Sequence, residues 1–360
     1  MSAGASVFPP IFDGHNDTIL SLVRTGRSFF ERSEIGHVDL PRARQGGLGG
    51  GFFAIYLRDP ALADVSAADG AALERALHIY GDEARWPEPM ALDYAQPAAL
   101  DLFGRLLRLE RHAGGLVRIV RTAAELQACL DGGVFAMLIH FEGAEPLDPD
   151  GHALDVFHAA GLRSVGLTHS RRNRYAQGVP FKFPHSPDTG PGLTDAGKAL
   201  VRQLNERRIM IDLSHLTERG FWDVAAISDA PLVATHSNAH ALCPSPRNLT
   251  DRQLDAIRER RGVVGLNFHV GFLRADGARD PAVPIARMVE HIDYMVDRMG
   301  LDCVALGSDF DGAVMPADLH DASGLPRLLQ ALAARGYAHD DLRRIAHGNW
   351  VRVLRETWGA

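Results

Sequence analysis

Short apolar runs, each bounded by glycine, proline or polar residues, recur along this chain of 360 residues and predict buried β-strands. Between several of these runs the apolar positions repeat with the period of a helix. Strands without polar interruptions that alternate with helices are typical of a parallel sheet covered by helices, and eight such units predict a closed (β/α)8 barrel of the TIM type. The predicted strands are residues 7–13, 52–57, 134–140, 162–168, 209–213, 232–235, 263–268 and 303–308, and the clearest helical patterns are residues 153–160, 194–207, 217–228, 250–260 and 284–299.

An open, doubly wound sheet that binds a dinucleotide is the structural alternative. That fold needs the pattern G-x-G-x-x-G directly after a strand, whereas the glycine cluster at residues 46–51 precedes a predicted strand. We therefore expect one barrel domain over residues 1–360. The stretch at about residues 58–121 is too long for a simple crossover and contains helical patterns at 71–84 and 97–112, so we predict a helical excursion between the second and third strands.

Composition narrows the function classes. A hydrophobic content of 46% with 23% charged residues is ordinary for a globular protein, and a net charge of −7 argues against binding to nucleic acid. The three widely spaced cysteines form neither a disulfide framework nor a CxxC zinc site. The first ten residues lack the features of a secretory signal, and no apolar run is long enough to span a bilayer. We expect a cytoplasmic protein that acts on a small molecule and binds neither nucleic acid nor membrane.

Polar motifs stand at the carboxyl ends of six predicted strands. The side chains that build the active site of such a barrel come from this face, so residues far apart in sequence are expected to converge there. The chain also has 17 histidines, and histidine is both the commonest metal ligand and the usual acid or base in catalysis. The motifs are DGHND at 13–17, HFEGAEPL at 140–147, LTHS at 167–170, IDLSH at 211–215, ATHSN at 234–238 and GSDFDG at 307–312.

Five of these residues have the chemistry of a metal centre. His15 and Asp17 are two apart, so on a strand they point to the same side, although DGHND is also a good turn sequence. His215 and His236 end consecutive strands; the alternative for each is a hydrogen-bonded structural role. Glu142 follows an apolar strand, and its two oxygens can join two cations. Two cations bridged by a carboxylate form a hydrolytic site, because a shared water ionises near neutral pH and attacks a polarised carbonyl.

Together the motifs resemble the membrane dipeptidases, also called renal dipeptidases, which are zinc peptidases with amidohydrolase-like barrels. The resemblance implies two Zn²⁺ per chain, one held by His15, Asp17 and Glu142 and the other by Glu142, His215 and His236. It extends in order over most of the chain, through the segments 13–17, 141–147, 166–170, 211–215, 234–242, 245–251, 307–312 and 348–354.

The same resemblance implies that His169 is the family's site histidine, Arg247 its substrate-binding arginine and Asp309 its last-strand aspartate. The chemistry of each residue agrees. The planar fork of Arg247 fits the terminal carboxylate of a dipeptide, unless it is a surface arginine after a proline turn. Asp309 can take a proton and pass it to the leaving amine. His169 can donate to the developing oxyanion, or else make a hydrogen bond at the edge of the core.

The expected function is therefore that of a binuclear zinc dipeptidase, in which a metal-bridging hydroxide attacks the peptide bond, with Glu142, His169 and Asp309 as catalytic residues. Some family members accept a D-residue at the C-terminal position. The segment after His169, SRRNRYAQG, is closer to the soluble bacterial branch, and we expect neither the signal nor the lipid-anchor tail of the animal enzymes. A homodimer is one possible assembly.

Two other function classes stay open at this stage. A different amidohydrolase-like enzyme, such as a lactonase, phosphotriesterase or cyclic amidase, often bridges its metals through a carboxylated lysine at a strand end. The two lysines of this chain, Lys182 and Lys198, fall in a proline-rich loop and in a helical pattern instead. A metal-binding protein without activity is expected to have lost a ligand or Asp309, and here the set is complete.

Overall fold

The computed structural model describes residues 8–60 and 79–359. Within these residues all eight predicted strands form, and neighbouring strands pair in parallel in the order β1-β2-β4-β5-β6-β7-β8-β9. The prediction of a (β/α)8 barrel of the TIM type is confirmed. The strands are β1 Ile11–Asn16, β2 Leu48–Tyr56, β3 Val117–Ile119, β4 Phe135–Glu142, β5 Leu162–Gly166, β6 Met210–Asp212, β7 Val233–Ala234, β8 Val263–Leu266 and β9 Val304–Leu306.

The two ends of the sheet meet between β1 and the chain that follows β9. The backbone N–H of Asp17 donates to the carbonyl of Phe310 over 2.8 Å. Below it, the buried carboxylate of Asp13 accepts hydrogen bonds from the N–H of Ser308 at 2.6 Å and from its hydroxyl at 2.7 Å. Side-chain bonds thus complete the closure where the strand ladder is short.

The five clearest helical patterns form helices whose ends agree with the sequence to within two residues. Two of these helices begin after a threonine, Thr194 or Thr217, whose hydroxyl accepts a hydrogen bond from the backbone N–H three residues later. The helices of the described residues are α1 Thr18–Thr25, α2 Leu40–Gly46, α3 Leu92–His112, α4 Ala123–Gly132, α5 His152–Ala160, α6 Asp195–Glu206, α7 Glu218–Ile227, α8 Asp251–Glu259, α9 Val270–Leu273, α10 Ile285–Met299, α11 Leu325–Arg335, α12 His339–Arg343 and α13 Asn349–Trp358. Short 3₁₀ turns lie at Glu83–Arg85, Leu301–Cys303 and Ala322–Gly324, and a π-helical turn at Arg344–Gly348 precedes α13.

The long connection between β2 and β4 contains a strand that the pattern did not predict. The helical pattern at 97–112 is the greater part of α3, whereas the pattern at 71–84 lies mainly outside the described residues. The added strand, β3, pairs with residues 135–137 of β4, and β5 pairs with the same strand from Ile139 onward. A strand of three residues with a solvent-exposed middle position has too little pattern to be recognised.

Apolar side chains fill the barrel below its polar face. Phe52 from β2 packs against Trp350 from α13, with ring centroids 5.1 Å apart, and the indole N–H donates to the carbonyl of Leu306 at 3.0 Å. Gly14 leaves room for this indole, because a Cβ there would come within 2.4 Å of it. No helix of the described residues is both long and apolar enough to cross a membrane.

Candidate active site

The predicted ligands come together at the carboxyl ends of the strands, where all five are buried. His15 is part of β1, which extends to Asn16 and so ends later than predicted, and Asp17 follows directly. Glu142 is the last residue of β4. The loops after β6 and β7 carry His215 and His236.

One carboxylate oxygen is the centre of the cluster. Oε1 of Glu142 lies 3.0 Å from Nε2 of His215, 3.6 Å from Nε2 of His236 and 3.7 Å from Nε2 of His15. The Nε2 atom of His15 is also 3.7 Å from Oδ2 of Asp17, and the Nε2 atoms of His215 and His236 are 3.1 Å apart. Three imidazoles and two carboxylates therefore direct ligand atoms into one small volume.

The donor set fits divalent cations. Within the described part of the chain, neither ring nitrogen of the fully buried His15 has a hydrogen-bond partner, and a buried polar atom without a partner is costly unless something else binds it. Nitrogen and carboxylate oxygen are ligands that zinc accepts. Three groups of ligand atoms lie within 4.8 Å of one another: His15, Asp17 and Glu142; Glu142, His169 and His215; and His15, Asp212 and His236.

Hydrogen bonds orient the imidazole of His236. The hydroxyl of Thr235 donates to Oδ2 of Asp212 at 2.6 Å, and Oδ1 of the same carboxylate accepts the backbone N–H of Thr235 at 2.8 Å. Because that hydroxyl proton is used, the contact of 2.8 Å between Thr235 and Nδ1 of His236 has the ring N–H as its donor. We assign the proton of His236 to Nδ1, which leaves Nε2 free to bind a cation. Nδ1 of His215 lies 2.9 Å from the hydroxyl of Ser170.

Burial sets the charge of the cluster. It lowers the pKa of His215 and of His236 well below the usual range, so both rings are neutral, as metal ligands must be. Burial also raises the pKa of Glu142 well above its usual range. Burial lowers the pKa of His15 as well, but Glu142 and Asp17 outweigh it and raise that pKa to about 10. The carboxylates thus favour a positive charge beside His15.

Unusual backbone conformations help to build the site. His215 has φ of 69° and Asp309 has φ of 62°, the left-handed region that side chains other than glycine seldom adopt. Gly312 is needed for a different reason, since a Cβ there would lie 2.0 Å from Oδ2 of Asp17. The backbone is therefore strained at His215 and Asp309 and tightly packed at Gly312, next to the predicted ligands.

Arg247 is a buried cation beside the cluster. Its side chain is 3% exposed, and no carboxylate of the described residues lies within the 4.0 Å of an ion pair. The guanidinium donates to the carbonyl of His236 at 3.1 Å and lies over the ring of Phe272, while Nε has no partner. Burial lowers the pKa of Arg247, as expected for a desolvated cation. A bound anion would remove that penalty.

His169 and Asp309 flank the ligands. His169 is half-buried, with its ring 4.3 Å from that of His215 and 4.6 Å from that of Tyr56. Burial and the nearby cations lower its pKa well below the usual range, so the ring is neutral, and its Nδ1 has no partner. Burial raises the pKa of Asp309, whose Oδ2 accepts a hydrogen bond of 3.0 Å from Asn267.

Several polar residues of the same motifs act indirectly or bind elsewhere. Asp212 accepts the hydroxyl of Thr235, Asn238 binds the backbone of Asn267, and Oδ1 of Asn16 accepts the N–H of Thr18. Asp311 pairs with Arg27 at 2.8 Å, and Nδ1 of His140 contacts Ser164. Lys182 pairs with Glu83, and Lys198 lies in α6.

Sequence reasoning missed three residues that support the centre: Ser170, Thr235 and Asn267. The first two stand beside predicted histidines in their motifs, which is the only signal they carry. Asn267 lies inside the predicted strand 263–268 and belongs to no motif. Their roles depend on contacts between strands, which sequence spacing does not report.

Comparisons with known proteins agree with this geometry. Residues 7–359 match the family described as Membrane dipeptidase (Peptidase family M19). A metallo peptidase from Rhodobacter sphaeroides, solved with a phosphinate mimic of the dipeptide L-Ala-D-Ala, superposes with a TM-score of 0.91 and 47% identity over 98% of this chain and 100% of its own.

Two sequence relatives cover most of the chain. Dipeptidase tcpJ of Claviceps purpurea is 30% identical over 96% of this chain and 76% of its own length. An uncharacterized protein from the pqqA 5′ region of Klebsiella pneumoniae is 51% identical over 70% of this chain and 93% of its own.

Proposed function

The chain belongs to the membrane dipeptidase family and is a metallodipeptidase, and we propose that it hydrolyses dipeptides with two zinc ions bound at the barrel face. One observation carries the proposal. The oxygen Oε1 of Glu142 lies within 3.7 Å of three imidazole nitrogens, and the buried Arg247 beside them has no anionic partner among the residues that the structure describes.

In this proposal His15, Asp17 and Glu142 hold one zinc ion, and Glu142, His215 and His236 hold the other. The distances from Glu142 to the three imidazoles support its role as the shared ligand. When bound, two such cations polarise the substrate carbonyl and lower the pKa of a water between them towards neutrality. Each cation would have three protein ligands, which would leave positions open, as a catalytic site requires.

The remaining residues bind substrate and move protons. Arg247 binds the terminal carboxylate of the dipeptide, which gives the buried guanidinium the anion it lacks. His169, neutral because of its burial, donates a hydrogen bond to the carbonyl oxygen as negative charge develops there. Asp309 takes a proton from the attacking water and transfers it to the nitrogen as the C–N bond breaks, so the carboxylate is regenerated.

We further propose that a D-residue is accepted at the C-terminal position. The support is the phosphinate mimic of L-Ala-D-Ala bound by the relative with 47% identity. Hydrolysis of paired L,L- and L,D-dipeptides by zinc-loaded protein tests the activity and this preference together. No turnover of any dipeptide would overturn the proposed function, and turnover of L,L-dipeptides alone would overturn only the acceptance of the D-residue.

The number of metal ions can be measured directly. We expect elemental analysis of zinc-loaded, desalted protein to give about two zinc ions per chain, because the five ligands form two sets of three that share one carboxylate. A value no higher than one tightly bound ion would contradict the binuclear site.

The role of Arg247 predicts a strong preference for a free C-terminus. Amidation of the C-terminus should lower kcat/KM by an amount equivalent to about 2 to 5 kcal/mol of transition-state stabilisation, because the amide leaves the buried guanidinium without its anion. Steady-state kinetics on matched free and amidated substrates provide the measurement. With Arg247→Met the two substrates should react at similar, low rates, and equal turnover by the unmodified enzyme would exclude this role.

A further inference from the structure

A network of buried asparagines reaches the site from the side of β8. Asn267, the first residue after β8, is fully buried, as is Asn238. The backbone N–H of Asn267 donates to Oδ1 of Asn238 at 2.8 Å, and Nδ2 of Asn238 donates back to the carbonyl of Asn267 at 2.9 Å. The backbone of Asn267 is therefore held on both sides.

These contacts leave the amide of Asn267 one orientation. Its Oδ1 accepts the backbone N–H of His269 at 2.7 Å, so Nδ2 must face the opposite way. There it donates to Oδ2 of Asp309 at 3.0 Å and lies 3.4 Å from the carbonyl of His236. A flipped amide would place its N–H groups against the N–H of His269 and its oxygen against a carboxylate.

The carboxylate of Asp309 is held by a hydrogen bond to one of its two oxygens. Its backbone N–H donates to the carbonyl of His15 at 3.0 Å, which fixes the main chain but not the carboxylate plane. Asn267 is the hydrogen-bond donor to Oδ2, and Oδ1 accepts no hydrogen bond from the part of the chain that the structure describes. One oxygen is held, and the other lies on the side of Asp17, because a Cβ added to Gly312 would be 2.8 Å from Oδ1 of Asp309 and 2.0 Å from Oδ2 of Asp17.

We propose that Asn267 is a positioning residue for the reaction: its amide holds Oδ2 of Asp309, so that Oδ1 is aimed at the proton that moves from the water to the leaving nitrogen. The inference rests on the proposed function, in which Asp309 carries that proton. Misplacing a catalytic group by about 1 Å can cost on the order of 10²-fold in rate, so a single hydrogen bond of this kind has a measurable effect.

A double-mutant cycle tests the proposal. We expect Asn267→Ala to lower kcat by about 10- to 100-fold with a smaller change in KM, and with the zinc content unchanged. In the Asp309→Asn background, where there is no carboxylate to orient, the same substitution should change the residual kcat by less than about twofold. The slow variants are assayed at high enzyme concentration over long times.

Asn349→Ala is the matched control, because Asn349 is a buried asparagine that donates to the carbonyls of Leu301 and Val304, at the other end of β9. It should lower Tm but leave kcat within about twofold. Equal losses from Asn267→Ala in both backgrounds, loss of zinc, or an unchanged kcat would each overturn the positioning role. Failure of the unsubstituted enzyme to cleave dipeptides would instead count against the proposed function.

Discussion

Replacing Glu142 by glutamine is expected to lower kcat/KM for dipeptides by at least about 10³-fold and to reduce the zinc content below two per chain. Among residues 8–60 and 79–359, Glu142 is the one residue whose oxygen approaches all three imidazoles, so its loss weakens both proposed metal positions at once. A bound cation contributes several kcal/mol of charge stabilisation in the transition state, and about 4 kcal/mol corresponds to that factor. Elemental analysis and steady-state kinetics on the same preparation measure both effects.

The same substitution has an expected signature in stability. The stabilisation by added zinc should shrink, because it grows with the logarithm of the ratio of zinc concentration to dissociation constant, and the substitution raises that constant.

Glu145→Gln is the matched control, since Glu145 is also buried but pairs with Arg171 at 2.7 Å instead of facing the ligands. It should lower Tm with and without zinc, because it leaves a buried cation unpaired, while two zinc ions stay bound. If Glu142→Gln kept two zinc ions and near-normal kcat, Glu142 would not be the shared ligand.

Replacing Asp309 by asparagine is expected to lower kcat by about 10²- to 10⁴-fold with both zinc ions retained. The substitution is nearly isosteric and removes the ability to carry a proton, which is typically worth that factor. In the proposed function His15, Asp17, Glu142, His215 and His236 would supply three ligands to each cation, so Asp309 would not be needed to hold them. The left-handed backbone at this position suits asparagine, so the fold should tolerate the change. Steady-state kinetics measure the loss of kcat, and elemental analysis of the same preparation shows whether both zinc ions are retained.

Asp311→Asn is the matched control for this variant. Asp311 is two residues further on and also has a left-handed backbone, with φ of 67°, but its carboxylate pairs with Arg27 and accepts the N–H of His37. The Asp311→Asn substitution should lower Tm and leave kcat within about tenfold of the value for the unsubstituted enzyme. If Asp309→Asn lost a zinc ion, Asp309 would be a ligand, and if KM alone rose, it would bind the substrate amine.

Much of the architecture could be predicted because buried parallel strands have a local signature. Each strand of the barrel is an apolar run that ends in polar residues, and the polar motifs lie at one face because parallel strands share a direction. The runs at 263–268 and 303–308 were therefore recognisable as strands before any contact was known. The strand Val117–Ile119 was not, because its pairing with β4 decides its conformation.

The sequence by itself determined the residue types of the site and the face on which they lie, because strand period and motif position are local properties of the chain. It placed His15, Glu142, His215 and His236 at strand ends. Only the tertiary structure decided which of their atoms meet, because that depends on strand register, barrel closure and side-chain rotamers. The approach of three imidazoles to Oε1 of Glu142, and the bond from Asn267 to Asp309 between two strand ends, arise from that packing and have no counterpart in sequence spacing.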